Sequence, residues 1–200
     1  VIAKEQHALS EVVEKPEIKK GKLWFEKKNG TEIMVAYDNG YCKFNMKTGM
    51  LISYVVDGKE LLANSKGFVP QLYRAFLDND RNIVKGWKNK GYDKVDYKGK
   101  LVSFEEEDDK VKLESEGWLY LDGKKTFEFE CKYTIYPGGT MKVKCELEKK
   151  KLDFTNYELP RFGVNVELDP SLKNVKYYGL GEKENLCDFN AQSTVGIYEG

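Results

Sequence analysis

The sequence predicts an all-β protein, an antiparallel sandwich or barrel. Two observations carry that reading. Apolar residues alternate with period two in several short segments, and turn dipeptides recur between those segments. A third is the aromatic content, 13 Tyr, 10 Phe and 3 Trp in 200 residues, which suits strands and suits sugar stacking as well.

Val1 to Lys22 stand apart. A polar run, Glu14-Lys15-Pro16-Glu17-Ile18-Lys19-Lys20-Gly21, reads as a linker or entry strand rather than core. Short strands are then expected at Leu23–Lys27, Glu32–Tyr37, Tyr41–Asn45 and Leu51–Val56. Asn29-Gly30, Asn39-Gly40, Thr48-Gly49 and Asp57-Gly58 supply the turns. Further along, the acidic run Glu105 to Asp109 reads as a solvated hairpin loop, and Lys110–Glu114 and Trp118–Leu121 as two more strands before the Asp122-Gly123 turn. The plainest signal lies at Thr126–Tyr136 and Thr140–Glu148. Phe127, Phe129, Cys131, Tyr133 and Ile135 fall on one face of the first, Met141, Val143, Cys145 and Leu147 on one face of the second, with Pro137-Gly138-Gly139 between them. Lys149-Lys150-Lys151 reads as surface.

Composition excludes several classes. Lys+Arg and Asp+Glu are both 33, so there is no basic excess to neutralise phosphates, and nucleic acid is not an expected partner. No apolar run approaches the roughly 20 residues of a membrane helix. Val1 opens no signal peptide, and the chain reads as a processed or excised piece. Cys42, Cys131, Cys145 and Cys187 form no C-x-x-C pair and His7 is the one histidine, so no metal site is expected. Cys131 and Cys145 read as small core residues in preference to a disulfide across the hairpin. A reducing, cytoplasmic compartment is the expectation.

Two blocks could carry chemistry. In Tyr73-Arg74-Ala75-Phe76-Leu77-Asp78-Asn79-Asp80 an arginine and two aspartates surround an asparagine, just after the apolar run Phe68 to Leu72. Buried charge is costly unless paired, so either Arg74 neutralises Asp78 or Asp80 inside the fold, or the group lines a polar cleft. In Asn174 to Asp188, tight glycines precede Glu184, Asn185 and Asp188. These are either a self-bonded loop or convergent groups facing a carbohydrate. Histidine-dependent nucleophilic mechanisms are not expected with only His7 available, Gly179-Leu180-Gly181 is a weak phosphate-loop signal, and no carboxylate pair stands out for glycoside hydrolysis.

The order of several motifs resembles the small-chain, C-terminal region of lacZ-type β-galactosidases of glycoside hydrolase family two. Asn45 to Leu51 is similar to that family's K-x-T-G-x-L turn, and Asp57 to Leu62 follows as it should. Tyr73 to Asp80 resembles W-R-A-P-x-D-N-D, then come Gly86-Trp87 and Gly91-Tyr92. Leu159-Pro160-Arg161-Phe162-Gly163 resembles L-P-R-x-G, and Tyr178 to Asn185 resembles G-x-G-P-x-E-N-Y-x-D-R. The chain departs from these patterns at Tyr73, Phe76, Glu182, Leu186 and Phe189, where the family has Trp, Pro, Pro, Tyr and Arg.

The resemblance implies a β-supersandwich like that of galactose mutarotases, truncated at its C-terminus, over residues 22–200, with 1–21 a linker and the tail of an immunoglobulin-like domain. It implies a parent enzyme that hydrolyses terminal β-D-galactosides through glutamates of an upstream TIM barrel. This chain is then an accessory domain, without catalytic residues or cofactor of its own, Mg or Na ions being left to the parent. Its expected partners are the barrel, the immunoglobulin-like domain, a galactoside or other carbohydrate, and further copies of itself through uncovered strand edges. A free-standing carbohydrate-binding module is the alternative. An aldose epimerase is a third reading, by fold analogy alone, and that chemistry requires histidines paired with a glutamate. Arg74, Asp78 and Asp80 are expected to form a structural ion-pair and turn network, with direct sugar contact as the competing role.

Overall fold

The computed structural model describes Gln6 and residues 18–28, 30–148, 159–181 and 191–200. The chain divides into two compact units, one of residues 18–169 and one formed by 1–17 together with 170–200.

The larger unit is a β-sandwich. Strands β1 (Leu23–Lys28), β2 (Glu32–Tyr37), β3 (Gly40–Asn45), β4 (Leu51–Val56) and β5 (Lys59–Glu60) form one antiparallel sheet in chain order. Strands β7 (Asp96–Glu107), β8 (Lys110–Leu121), β9 (Lys124–Ile135) and β10 (Met141–Glu148) form a second antiparallel meander. Between them in sequence lie the short strand β6 (Val69–Gln71) and the helix α1 (Val84–Asn89), and after them β11 (Gly163–Asn165).

Alternation puts the odd-numbered residues of β8 and β9 inward. Val111, Leu113, Leu119, Phe127, Phe129, Tyr133 and Ile135 join Ile33, Val35, Tyr37, Phe44 and Leu51 of the first sheet in one core. Rings cross between the layers. Phe44 meets Tyr133 edge-on at 4.9 Å and Phe25 meets Phe104 at 4.6 Å. A fully buried ring such as Phe44 or Tyr133 stabilises the fold by about 1.5–3 kcal/mol relative to exposure, and the partly buried Phe25 and Phe104 contribute less. The turns follow from their residues. Asp57-Gly58 and Asp122-Gly123 both take positive φ at the two central positions, the hairpin geometry that matches strand twist and that Asp-Gly tolerates.

Three expectations are modified. Lys110–Glu114 and Trp118–Leu121 are parts of one twelve-residue strand, β8, because Ser115 and Gly117 keep the inward phase without bulky side chains. Strand β7 was not expected. It carries Lys98, Lys100 and Glu105 to Glu107, and a bulge between Leu101 and Ser103 breaks its alternation. The acidic run is therefore the end of β7 plus a turn, with Glu107 paired to Lys110 and Lys112.

In the smaller unit, β12 (Lys176–Gly181) and β13 (Thr194–Glu199) form an antiparallel hairpin. Tyr177 and Tyr198 stack at 5.4 Å on one face, beside Gly181, where an added Cβ would lie 2.5 Å from the Tyr177 hydroxyl. The Gln6 side-chain amide extends the ladder, donating to the Val195 carbonyl and accepting from its N–H. No helix among the described residues is long and apolar enough to cross a membrane.

Candidate functional site

The Arg74 loop is positioned by a ribbon that links distant parts of the chain. After Phe68, β6 pairs antiparallel with β11, Gln71 opposite Gly163 and Val69 opposite Asn165. Pro70 suits such a narrow ribbon because it has no N–H to donate. Leu72 then plugs into the core with no exposure. From there the chain leaves the ribbon, and a 3-10 turn forms at Asp78–Asp80 before α1.

Arg74 holds this loop closed. Its Nη1 donates to Asp80 Oδ2 at 2.6 Å and its Nη2 to Asp80 Oδ1 at 3.1 Å, a two-pronged pair. Nε donates to the Pro160 carbonyl at 3.1 Å, and Nη1 also reaches the Ala75 carbonyl. The guanidinium lies 5.1 Å from the centre of the Trp87 ring, and Tyr73 packs edge-on against the same indole. Asp80 Oδ2 accepts a further bond from the Leu77 N–H at 2.8 Å. The Arg74 hydrogen bonds first, then the Leu77 amide, hold the Asp80 carboxyl below the usual aspartate range. It therefore stays anionic and committed to Arg74, and cannot serve as a general acid near neutral pH.

The seven sequence-predicted residues thus separate. Arg74 and Asp80 meet. Asp78 and Asn79 stand at the exposed tip between them, Asp78 paired to Arg81, with Phe76 beside them 53% exposed. Glu184, Asn185 and Asp188 lie outside the described residues, as do His7 and Cys187. Sequence reading missed two partners, Trp87 and the Pro160 carbonyl. The signal for both was present, since the Tyr73–Asp80, Gly86-Trp87 and Leu159–Gly163 motifs are the segments that touch here. The Asn45–Leu51 and Asp57–Leu62 motifs are architectural. Asn45 Oδ1 caps the Lys47 and Thr48 amides of its turn, and the Glu60 carboxylate collects Ser53 Oγ and the Tyr54 and Leu62 amides.

A wide concavity lies elsewhere, a trough of about 900 Å³ on the solvent face of β7–β10. Its walls are cross-strand charge rows such as Lys100–Glu116–Glu130–Glu146. Trp118 borders it, but Lys125 lies 3.7 Å from the centre of that ring and takes one of its faces. Among the described residues no group of three or more His, Cys, Asp or Glu is arranged to hold a metal ion.

Comparison with known proteins agrees with the motif order. Residues 37–200 match the family model of the β-galactosidase small chain. A β-galactosidase of Lactobacillus delbrueckii subsp. bulgaricus is 30% identical over 169 residues, 78% of this chain and 15% of that protein. One from Actinobacillus pleuropneumoniae is 27% identical over 143 residues, 70% of this chain and 14% of its own length. One from Halalkalibacterium halodurans is 24% identical over 145 residues, 72% and 14%. The chain spans about a seventh of the length of these curated relatives. With the family's model covering most of its length and the family's motifs meeting around Arg74, this chain belongs to the β-galactosidase small-chain family.

Proposed function

We propose that this chain is the accessory region of a β-galactosidase that hydrolyses terminal β-D-galactosides, and that it supports or lines an active site whose catalytic carboxylates lie in another part of the enzyme. The observation that carries this reading is the Arg74 clamp. Arg74, Asp80, Trp87 and the Pro160 carbonyl fix both ends of a loop whose tip exposes Phe76, Asp78 and Asn79. A tip held this firmly loses little entropy on docking, which suits a loop offered to a neighbouring domain or to substrate. Asp80 itself is too strongly paired to be the proton donor of a glycosidase.

The test separates support from chemistry. The purified chain is expected not to turn over a nitrophenyl β-D-galactoside. In the whole enzyme, Phe76→Ala and Asn79→Ala are expected to lower kcat/KM while leaving the melting temperature in place. Turnover by the purified chain that disappears on mutating one of its own glutamates would overturn the proposal. Millimolar binding of galactose or lactose by the isolated chain, followed by NMR, would favour a free-standing carbohydrate-binding module instead.

A further inference from the structure

We propose that Cys131 and Cys145 form a redox-active dithiol, a modification site that peroxide converts to a cross-strand disulfide. The two residues are direct register partners within an unbroken run of pairs between β9 and β10. Both side chains lie on the inward side of the pleat, and their Sγ atoms are in contact at 3.0 Å as free thiols. Little backbone movement separates this arrangement from a bonded one, because antiparallel register already sets neighbouring Cβ atoms at about disulfide spacing.

The two sulfurs are not equivalent. Cys131 is fully buried, on an inner strand of the sheet. Cys145 is half-buried and sits on β10, which ends the order of that sheet, so a small oxidant reaches it first. The contact with Cys131 also lowers the Cys145 thiol from its ordinary pKa, while the same contact and burial raise that of Cys131. Cys145 is thus the attacking thiol and Cys131 the resolving one.

The chemistry balances with hydrogen peroxide as oxidant. The Cys145 sulfur attacks one peroxide oxygen and the O–O bond breaks. Hydroxide leaves and takes up the thiol proton as water, and Cys145 becomes a sulfenic acid. The Cys131 sulfur then attacks Cys145 Sγ, the S–O bond breaks, and a second water leaves with the remaining protons. Two thiols lose two electrons in total, and one peroxide becomes two waters. A dithiol reductant reverses the bond by exchange. The disulfide ties the edge strand to its neighbour at mid-length.

The test treats the 200-residue chain with peroxide and digests it with trypsin. The expected product joins the peptides Thr126–Lys132 and Cys145–Lys149 through one disulfide, disappears on treatment with dithiothreitol, and accompanies a melting temperature several degrees higher. Cys131→Ser is expected to leave a sulfenic acid at residue 145 that dimedone captures, and Cys145→Ser to leave residue 131 unlabelled. Phenylarsine oxide, which needs two adjacent thiols, is expected to bind the reduced chain and neither variant. Absence of the linked peptide while either cysteine becomes sulfinic acid, or equal dimedone labelling of the two variants, would overturn the proposal.

Discussion

Arg74→Ala tests the clamp most directly. The substitution deletes both prongs to Asp80, the Nε bond to the Pro160 carbonyl and the guanidinium over Trp87, and leaves Asp80 with the Leu77 amide alone. Removing one partner of a buried ion pair costs about 3–5 kcal/mol, whereas an exposed pair contributes about 0–1. The Arg74 side chain is 26% exposed and that of Asp80 9%, so water can enter the vacated space and the loss falls between these limits, at about 2–3 kcal/mol. For a chain of 200 residues each kcal/mol shifts the melting temperature by about 2–4 °C, giving a drop of about 4–12 °C. Calorimetric melts of Arg74→Ala, Asp80→Ala and the double variant close a cycle, in which the double variant should cost clearly less than the sum of the singles. Arg74→Lys should fall between wild type and Arg74→Ala, since a point charge cannot fill the two-pronged site. The sign of the pH effect is fixed by Asp80. Its folded pKa is depressed, so the stability it contributes is present above the ordinary aspartate value of about 3.9 and is lost as pH falls through the lower folded value. Arg74→Ala should flatten that acid limb. An unchanged melting temperature, or strictly additive singles, would refute the reasoning.

Phe44→Ala should cost about 3–5 kcal/mol in urea unfolding, since it empties a fully buried site against Tyr133. Gly91→Ala should destabilise through strain at φ +77° and a Cβ placed 2.8 Å from the Asp122 nitrogen, measured as a lower urea midpoint; an unshifted midpoint would count against the described backbone. Burial pushes the Tyr97 hydroxyl up to about 12, so the stability it contributes is intact below the ordinary tyrosine value of about 10 and is lost as pH rises toward 12. Phenolate absorbance should show this tyrosine ionising later than exposed ones, with alkaline unfolding following.

The legible parts of the fold were those where alternation and turn chemistry agree. Residues 126–148 announced a hairpin, and β2 and β4 fall where period two put them. Strand β7 was hidden because a bulge shifts its phase and lysines and glutamates crowd its outer face. The six-residue α1 is too short to show a helical period, and it exists to seat Trp87. At the site, the sequence limited the partner of Arg74 to Asp78 or Asp80 but could not choose, because both are within reach along the chain. The choice is made by the 3-10 turn, which directs Asp80 inward and Asp78 to solvent. The Pro160 contact was out of reach of any local reading, since it lies 86 positions from Arg74, and only the order of the motifs hinted at it.

That separation has a kinetic consequence. The β7–β10 meander is made of hairpins that close over a few residues, and such contacts form early because short loops cost little entropy. The β6–β11 ribbon and the Arg74–Pro160 bond enclose the whole of that meander, so they close a long loop and should form after it. The loop that carries Phe76 and Asn79 is then a late reporter of folding. A chain that has built both sheets but not yet joined β6 to β11 would look folded by far-ultraviolet circular dichroism while its Phe76–Asn79 tip is still unfixed.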